Sequence, residues 1–582
     1  MGSGYTLICS AAGTDLSDCL GAVASDLEEN SSATAHVVNL RDVLGYDYRS
    51  LMTFSQPEIF GKIKRASKAA ARSMPDDEEV VGVLGCHLTL YDARSQVFHA
   101  AISALHVSGE GPGQKPKRLV LLIDDIYDMF DELNGEGDIF DSAMLAEMSE
   151  ENLIEAAVRA LPKDEKRLPG NSVAGNSLFA LDAEVSALQR LLAWRRAEMI
   201  AAESLAEDLS VPLFLIGVKH PIEILRSILC TPSPDATYIS HPITRHRVER
   251  GMTGRWSEDV RNLNRLPLEL AERGVTGIMP TAIDELRFSP PTVDDIWVRS
   301  GGLAPRWPSM ASDFRLISPR YEPLQTEHAG INSASSALAS DPRIASASLR
   351  TVEAAAYWEI PYRDHYLVNH CRNLLVFRPQ EAGNTFSGGV LSEIQFFERL
   401  AGVQDRRMAI IHDSDDISLI LERIARGDLI DEDLPLRVVS KYIKANGARM
   451  LHRNLTEADR TKLARGGTLA YSQLSQRTHS RANLDALLRS GWLAAAQVVL
   501  FRELSGLDGE RPWCRILIGD TGETGVLTAA AAWLTSINTS EPLEPMLASL
   551  AEHGALLNDD SYSGLALSLA TTAGVDISDI LK

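Results

Sequence analysis

Basic residues are in deficit in this chain: 57 Lys and Arg stand against 79 Asp and Glu, a formal net charge of −22 at pH 7. A protein that coats nucleic acid or an anionic membrane needs a positive face, so both partners are disfavoured, although a local basic cleft stays open. Long apolar runs are also missing. No stretch approaches the ~20 apolar residues of a membrane span, and the first residues lack a basic segment followed by a long apolar one. The expectation is a cytoplasmic chain without a membrane partner, meeting small molecules or other proteins. Cysteine is sparse as well, with Cys9, Cys19, Cys86, Cys230, Cys371 and Cys514 scattered and no CxxC pair. A disulfide framework or zinc knuckle needs tighter spacing, so buried free thiols and no metal are expected.

What is present is a folded, multidomain composition. The 582 residues are 45% hydrophobic and 23% charged, too long for one core at ~150 residues per domain. In residues 1–232, apolar runs at Tyr5–Cys9, Val80–Leu84, Leu119–Ile123 and Pro212–Ile216 alternate with helical stretches, of which Asp182–Leu209 is the longest. Continuous apolar strands between helices imply a parallel sheet covered on both faces. The Pro-rich joint Cys230–Asp235 marks a boundary. Residues 236–425 repeat the texture, with strands at Tyr238-Ile239, Thr276–Met279, Leu374–Phe377 and Met408–Ile411, helices at Trp256–Arg273 and about 390–400, and a loop-like insertion at 288–348. Residues 431–582 read as a helical C-terminal domain, including Trp492–Leu504 and Leu527–Leu534, and its apolar helices suit a homo-oligomer or protein-partner surface. The Gly-rich turn Gly519–Gly525 reads as a loop between helices. The fold class is therefore α/β, two parallel-sheet domains followed by helices.

One stretch carries the strongest chemical signal. The strand Leu374–Phe377 runs into the turn Ser387-Gly388-Gly389, and Glu393 follows in the first turns of a helix. In open α/β sheets the crevice beyond a strand's carboxyl end is the place where ligands bind. Glycine lets a substrate approach the backbone, and exposed N–H groups attract anions. A glutamate there can point into the crevice or merely complement the helix dipole.

Four motifs in order give this region a family likeness. Tyr238-Ile-Ser240-His-Pro follows the first strand, Ile278-Met-Pro the second, Tyr362-Arg363-Asp364 precedes the third, and Ser387-x-Gly389-x-x-x-Glu393 follows it. Over roughly residues 236–415 the chain resembles the nucleoside 2-deoxyribosyltransferase superfamily, which includes nucleotide N-glycosidases. The resemblance implies cleavage of an N-glycosidic bond in a nucleotide or nucleoside, by hydrolysis or base exchange and without a cofactor, with Glu393 as nucleophile. Asp284 and Asp364 are the implied second acids; Asp284 could instead pair with Arg287, and Asp364 could cap a helix. Tyr238, Ser240, Arg245, Arg247, Ser387, Gly388 and Gly389 are the implied substrate contacts. The two arginines would grip a 5′-phosphate unless their loop is simply solvated.

The first domain resembles a degenerate P-loop kinase or ATPase. Leu7–Ser10 leads into Gly13-Thr14-Asp15, and Leu119–Ile123 leads into Asp124-Asp125, like a strand ending in a Mg²⁺-holding acid. The loop has no Lys to reach a phosphate, and Asp15 would repel one. Gly13, Thr14, Asp124 and Asp125 thus form a candidate nucleotide site suited to sensing or scaffolding. A working kinase or ATPase, and a non-catalytic nucleotide-binding assembly protein, remain the alternatives to the glycosidase. Fusion of such domains suggests a regulated effector that depletes a nucleotide pool in bacterial defence.

Overall fold

Runs of Val, Ile and Leu without polar alternation fold as strands buried on both faces. A computed structural model of the 582-residue chain describes residues 4–129, 172–283, 314–321, 360–461, 481–535 and 566–570, with short breaks inside these ranges. Contacts divide it into two compact units, residues 1–239 with 246–372 and residues 240–245 with 373–582.

The first unit is built on β1 (Tyr5–Ser10), β2 (Thr34–Asn39), β3 (Val80–Cys86), a hairpin of β4 (Thr89–Asp92) and β5 (Val97–Ala100), β6 (Pro116–Ile123) and β7 (Leu213–Gly217). Five of these form one sheet in the order β2-β3-β1-β6-β7, with every pairing parallel. Helix α1 (Leu16–Asn30) leads from β1 to β2, followed by α2 (Leu40–Leu44) and then α3 (Gln56–Ser73) before β3. Helix α4 (Ser172–Leu209) leads from β6 to β7, and α5 (Ile222–Cys230) follows β7. Local signals set the helix starts. Asp15 accepts the Asp18 N–H to cap α1, while Ser55 and Glu58 form a capping box on α3 with Pro57 in its first turn. The chain leaves β1 toward β2 on one side and β6 toward β7 on the other, so the carboxyl ends of β1 and β6 flank a topological switch point.

The four predicted strands of this region are present, and β2, half-buried and interrupted by His36, is an addition to them. Of the 288–348 insertion, the described part is 314–321. Leu316 bridges Pro221, and the Ile317 and Ser318 N–H groups donate to His220 and Val218 at 3.0 Å each.

A second five-stranded sheet contains β8 (Ala236–Ser240), β9 (Thr276–Ile278), β10 (Asn373–Phe377), β11 (Arg407–His412) and β12 (Cys514–Ile518), in the order β12-β11-β10-β8-β9. Numbered along the chain this is 2-1-3-4-5, the flavodoxin-like doubly wound order, whose switch point lies between the first and third strands. Helix α6 (Arg255–Ala271) joins β8 to β9, and α7 (Gly388–Ala401) joins β10 to β11. Helices α8 (Asp433–His452) and α9 (Arg481–Ser505) precede β12, and α10 (Thr524–Thr535) follows it. Trp533 of α10 donates its indole N–H to the Met408 carbonyl of β11 at 3.0 Å, under the Arg407 guanidinium.

Two expectations are corrected. The 431–582 region is not purely helical, because Cys514–Ile518 pairs in parallel with β11; this five-residue apolar run sits between Ala- and Leu-rich helices that mask it. The cysteines are free, but Cys230 is exposed rather than buried, at the last residue of α5. Among the described residues no helix is long and apolar enough to cross a membrane.

Candidate active site

Glu393 lies on α7 and is 7% exposed, although a glutamate side chain normally keeps to the surface. Its carboxylate is held across 153 residues of sequence: the Ser240 hydroxyl, at the end of β8, donates to Glu393 Oε2. Ser240 is fully buried and belongs to the same compact unit as Glu393. A hydroxyl-to-carboxylate bond is of the strong, charge-assisted class. It ties the carboxylate on α7 to the last residue of β8.

The chain between β10 and α7 shapes the mouth of the site. β10 is wholly buried and pairs in register with β11, from Asn373 opposite Arg407 to Phe377 opposite Ile411. Arg378 extends that ladder by donating its N–H to the Ile411 carbonyl at 2.9 Å, yet its φ is 44°, in the left-handed region. Its Nη2 donates to Asp413 Oδ2 at 2.6 Å, so a partly buried ion pair spans the exits of β10 and β11. The loop then closes on itself, with the Ser387 N–H donating to the Pro379 carbonyl at 3.0 Å. Ser387 accepts the Leu391 N–H at 2.9 Å and so starts α7.

Gly388 and Gly389 occupy the first two helical positions and are exposed. Neither has a left-handed φ. A Cβ on Gly388 would meet nothing within 4 Å, and one on Gly389 only the Ser387 hydroxyl at 4.0 Å. Among the described residues, neither packing nor a left-handed backbone calls for glycine at these two positions. What they leave is open backbone at a positive helix end, beside the Ser387 hydroxyl.

Beneath the β11 exit, His412 Nε2 donates to the Leu504 carbonyl at 2.6 Å. Burial pushes its pKa down to about 4, so the ring is neutral and supports the edge without adding charge.

Asp364 belongs to the first unit and lies inside a helix at 362–370, so it is not an N-cap. Its Oδ1 accepts both Arg363 Nε (3.0 Å) and Nη2 (2.8 Å), while Arg363 Nη1 donates to the Ile283 carbonyl at 2.8 Å. The pair makes Asp364 a structural anion for a buried arginine. Tyr238 is 0% exposed, a core residue of β8. Asp284, Arg245, Arg247, Gly13 and Asp125 lie outside the described residues.

At the first sheet's switch point, Thr14 is 4% exposed and its hydroxyl has no hydrogen-bond partner among the described residues. Asp124 is 2% exposed, and its main-chain carbonyl accepts from Arg195 Nη1 at 3.3 Å. Burial and then the Asp124 charge push the nearby Cys19 thiol far up, against a hydrogen bond with Ser318. Among the described residues no cluster of His, Cys, Asp or Glu is arranged to hold a metal ion.

Sequence reasoning missed Arg378, Asp413 and Ser318. The first two were accessible in principle, as polar residues immediately after buried strand ends. No protein-family model matches the chain, and no curated protein is similar to it at a significant level.

Proposed function

We propose that the site around Glu393 cleaves the N-glycosidic bond of a nucleotide or nucleoside. The observation that supports this reading is a buried carboxylate, fixed by the Ser240 hydroxyl at the end of β8, beside an open glycine pair. Glycosidic cleavage passes through an oxocarbenium-like state, and a fixed carboxylate can stabilise that charge or attack it. In this reading the Glu393 oxygen bonds to C1′ as the C1′–N bond breaks, and the leaving base takes up a proton from solvent, which is returned when the ester is opened. Water, or a second base, then releases the sugar from the ester. Ser240 orients the nucleophile, and the α7 backbone with Ser387 receives an anionic part of the substrate.

Asp364, committed to Arg363, is not part of this scheme. For the first unit, the loop after β1 has no Lys to reach a phosphate, which favours sensing or scaffolding over phosphoryl transfer.

The test is mass spectrometry of a nucleotide and nucleoside panel incubated with the full chain and with Glu393→Gln. Free base should appear with the wild type and fall at least about 10²-fold in the variant. Near-normal turnover by folded Glu393→Gln would end the assignment.

A further inference from the structure

We propose that Arg378, oriented by Asp413, is the group with which this site reads a phosphate, so that its substrate class is a nucleotide rather than a nucleoside. The inference rests on the reading of Glu393 as the reactive carboxylate and deepens it. Three features of one sheet edge carry it.

The first is backbone strain. A non-glycine residue rarely adopts φ 44°, and such residues gather at binding and catalytic sites. The second is position. Arg378 leaves β10 directly, and its neighbour Pro379 accepts the Ser387 N–H, which brings the strand exit to the first turn of α7. The third is orientation. The guanidinium is 16% exposed and held by Asp413, the first residue after β11, at 2.6 Å. β10 and β11 are already joined by five registered residue pairs. An ion pair serving only to hold these strands together would gain nothing from a left-handed residue. A guanidinium turned toward a ligand would. Its planar fork can keep one N–H on Asp413 while presenting others to phosphate oxygens. Asp413 is then a positioning residue.

Five forms of the full chain test this: wild type, Arg378→Gln, Arg378→Lys, Arg378→Gly and Asp413→Asn. Arg378→Gly suits the left-handed backbone, so loss of folding does not confuse its result. Thermal melting with inorganic phosphate reports binding without requiring turnover. Base release from a nucleoside monophosphate and its matching nucleoside reports discrimination.

Phosphate should raise the melting temperature of the wild type but not of Arg378→Gln or Arg378→Gly. The kcat/KM ratio of monophosphate to nucleoside should fall about 10- to 100-fold in both, chiefly through KM. Arg378→Lys should retain part of the preference, and Asp413→Asn should lose less than Arg378→Gln. Phosphate that fails to stabilise the wild type, or stabilises Arg378→Gly equally, overturns the proposal. So does an unchanged substrate ratio. If no nucleotide releases base yet phosphate binding depends on Arg378, the glycosidase reading fails and this one stands. If base release favours nucleotides independently of Arg378, the reverse holds.

Discussion

Acid should weaken the first unit through one imidazole. His220 follows β7 and is 0% exposed. Its Nδ1 donates to the Gly217 carbonyl at 2.9 Å, and its Nε2 accepts the Met279 N–H at 2.8 Å. Both ring nitrogens are thus committed to the neutral form, because a proton on Nε2 would set two donors against each other. Burial lowers the pKa from 6.5 to about 4. The unfolded chain therefore binds a proton between these values while the folded chain does not, and stability falls as pH drops through that window. At 1.36 kcal/mol for each pH unit, the loss is about 3 kcal/mol in all and about 2 kcal/mol by pH 5. NMR of ¹³C-labelled histidines, with His220→Gln for assignment, should show this ring neutral at pH 5. Urea unfolding at pH 7 and pH 5 should show a larger acid loss in the wild type than in the variant. A ring that titrates near 6.5, or equal acid losses, would refute the reasoning.

Two further outcomes are expected. Ser240→Ala removes a hydrogen bond to a buried carboxylate, worth about 1.5–3 kcal/mol; base release should fall about tenfold or more, and activity equal to wild type in a folded variant would show that Ser240 does not orient Glu393. Gly388→Ala with Gly389→Ala should leave the chain at least as stable, with a gain of at most about 0.5–1 kcal/mol for each position, because neither Cβ meets described protein atoms closely, while weakening turnover of anionic substrates. A melting temperature that drops, or nucleotide turnover that is unaffected, would show that these glycines do not serve a ligand.

The strands were legible where burial on both faces made them continuous, as in Leu119–Ile123 and Leu374–Phe377. β2 was not, since Thr34, His36 and Asn39 break its apolar character, and β12 was hidden between helices that share its aliphatic residues. Glu393 and Ser240 each stood out in the sequence as parts of one implied site, but nothing there showed that the hydroxyl would bond the carboxylate directly across 153 residues. The pairing of Asp364 was not legible for a different reason. Neighbouring residues on a helix do not normally face each other, yet Arg363 folds back onto it. Arg378 gave no sign in the sequence of its left-handed backbone.

The bond between Ser240 and Glu393 also sets a clock. The short segment 240–245 is grouped with residues 373–582, so it leaves the ribosome well ahead of the part of the chain it folds with. At about 5–20 residues per second, the 153 residues separating the two side chains take about 8–30 s to make. Throughout that interval the first unit's early strands can already pair, while Ser240 waits without its carboxylate. A nascent chain therefore cannot form this bond until synthesis has passed α7, and a truncated product ending before Glu393 would leave the buried Ser240 hydroxyl without that partner.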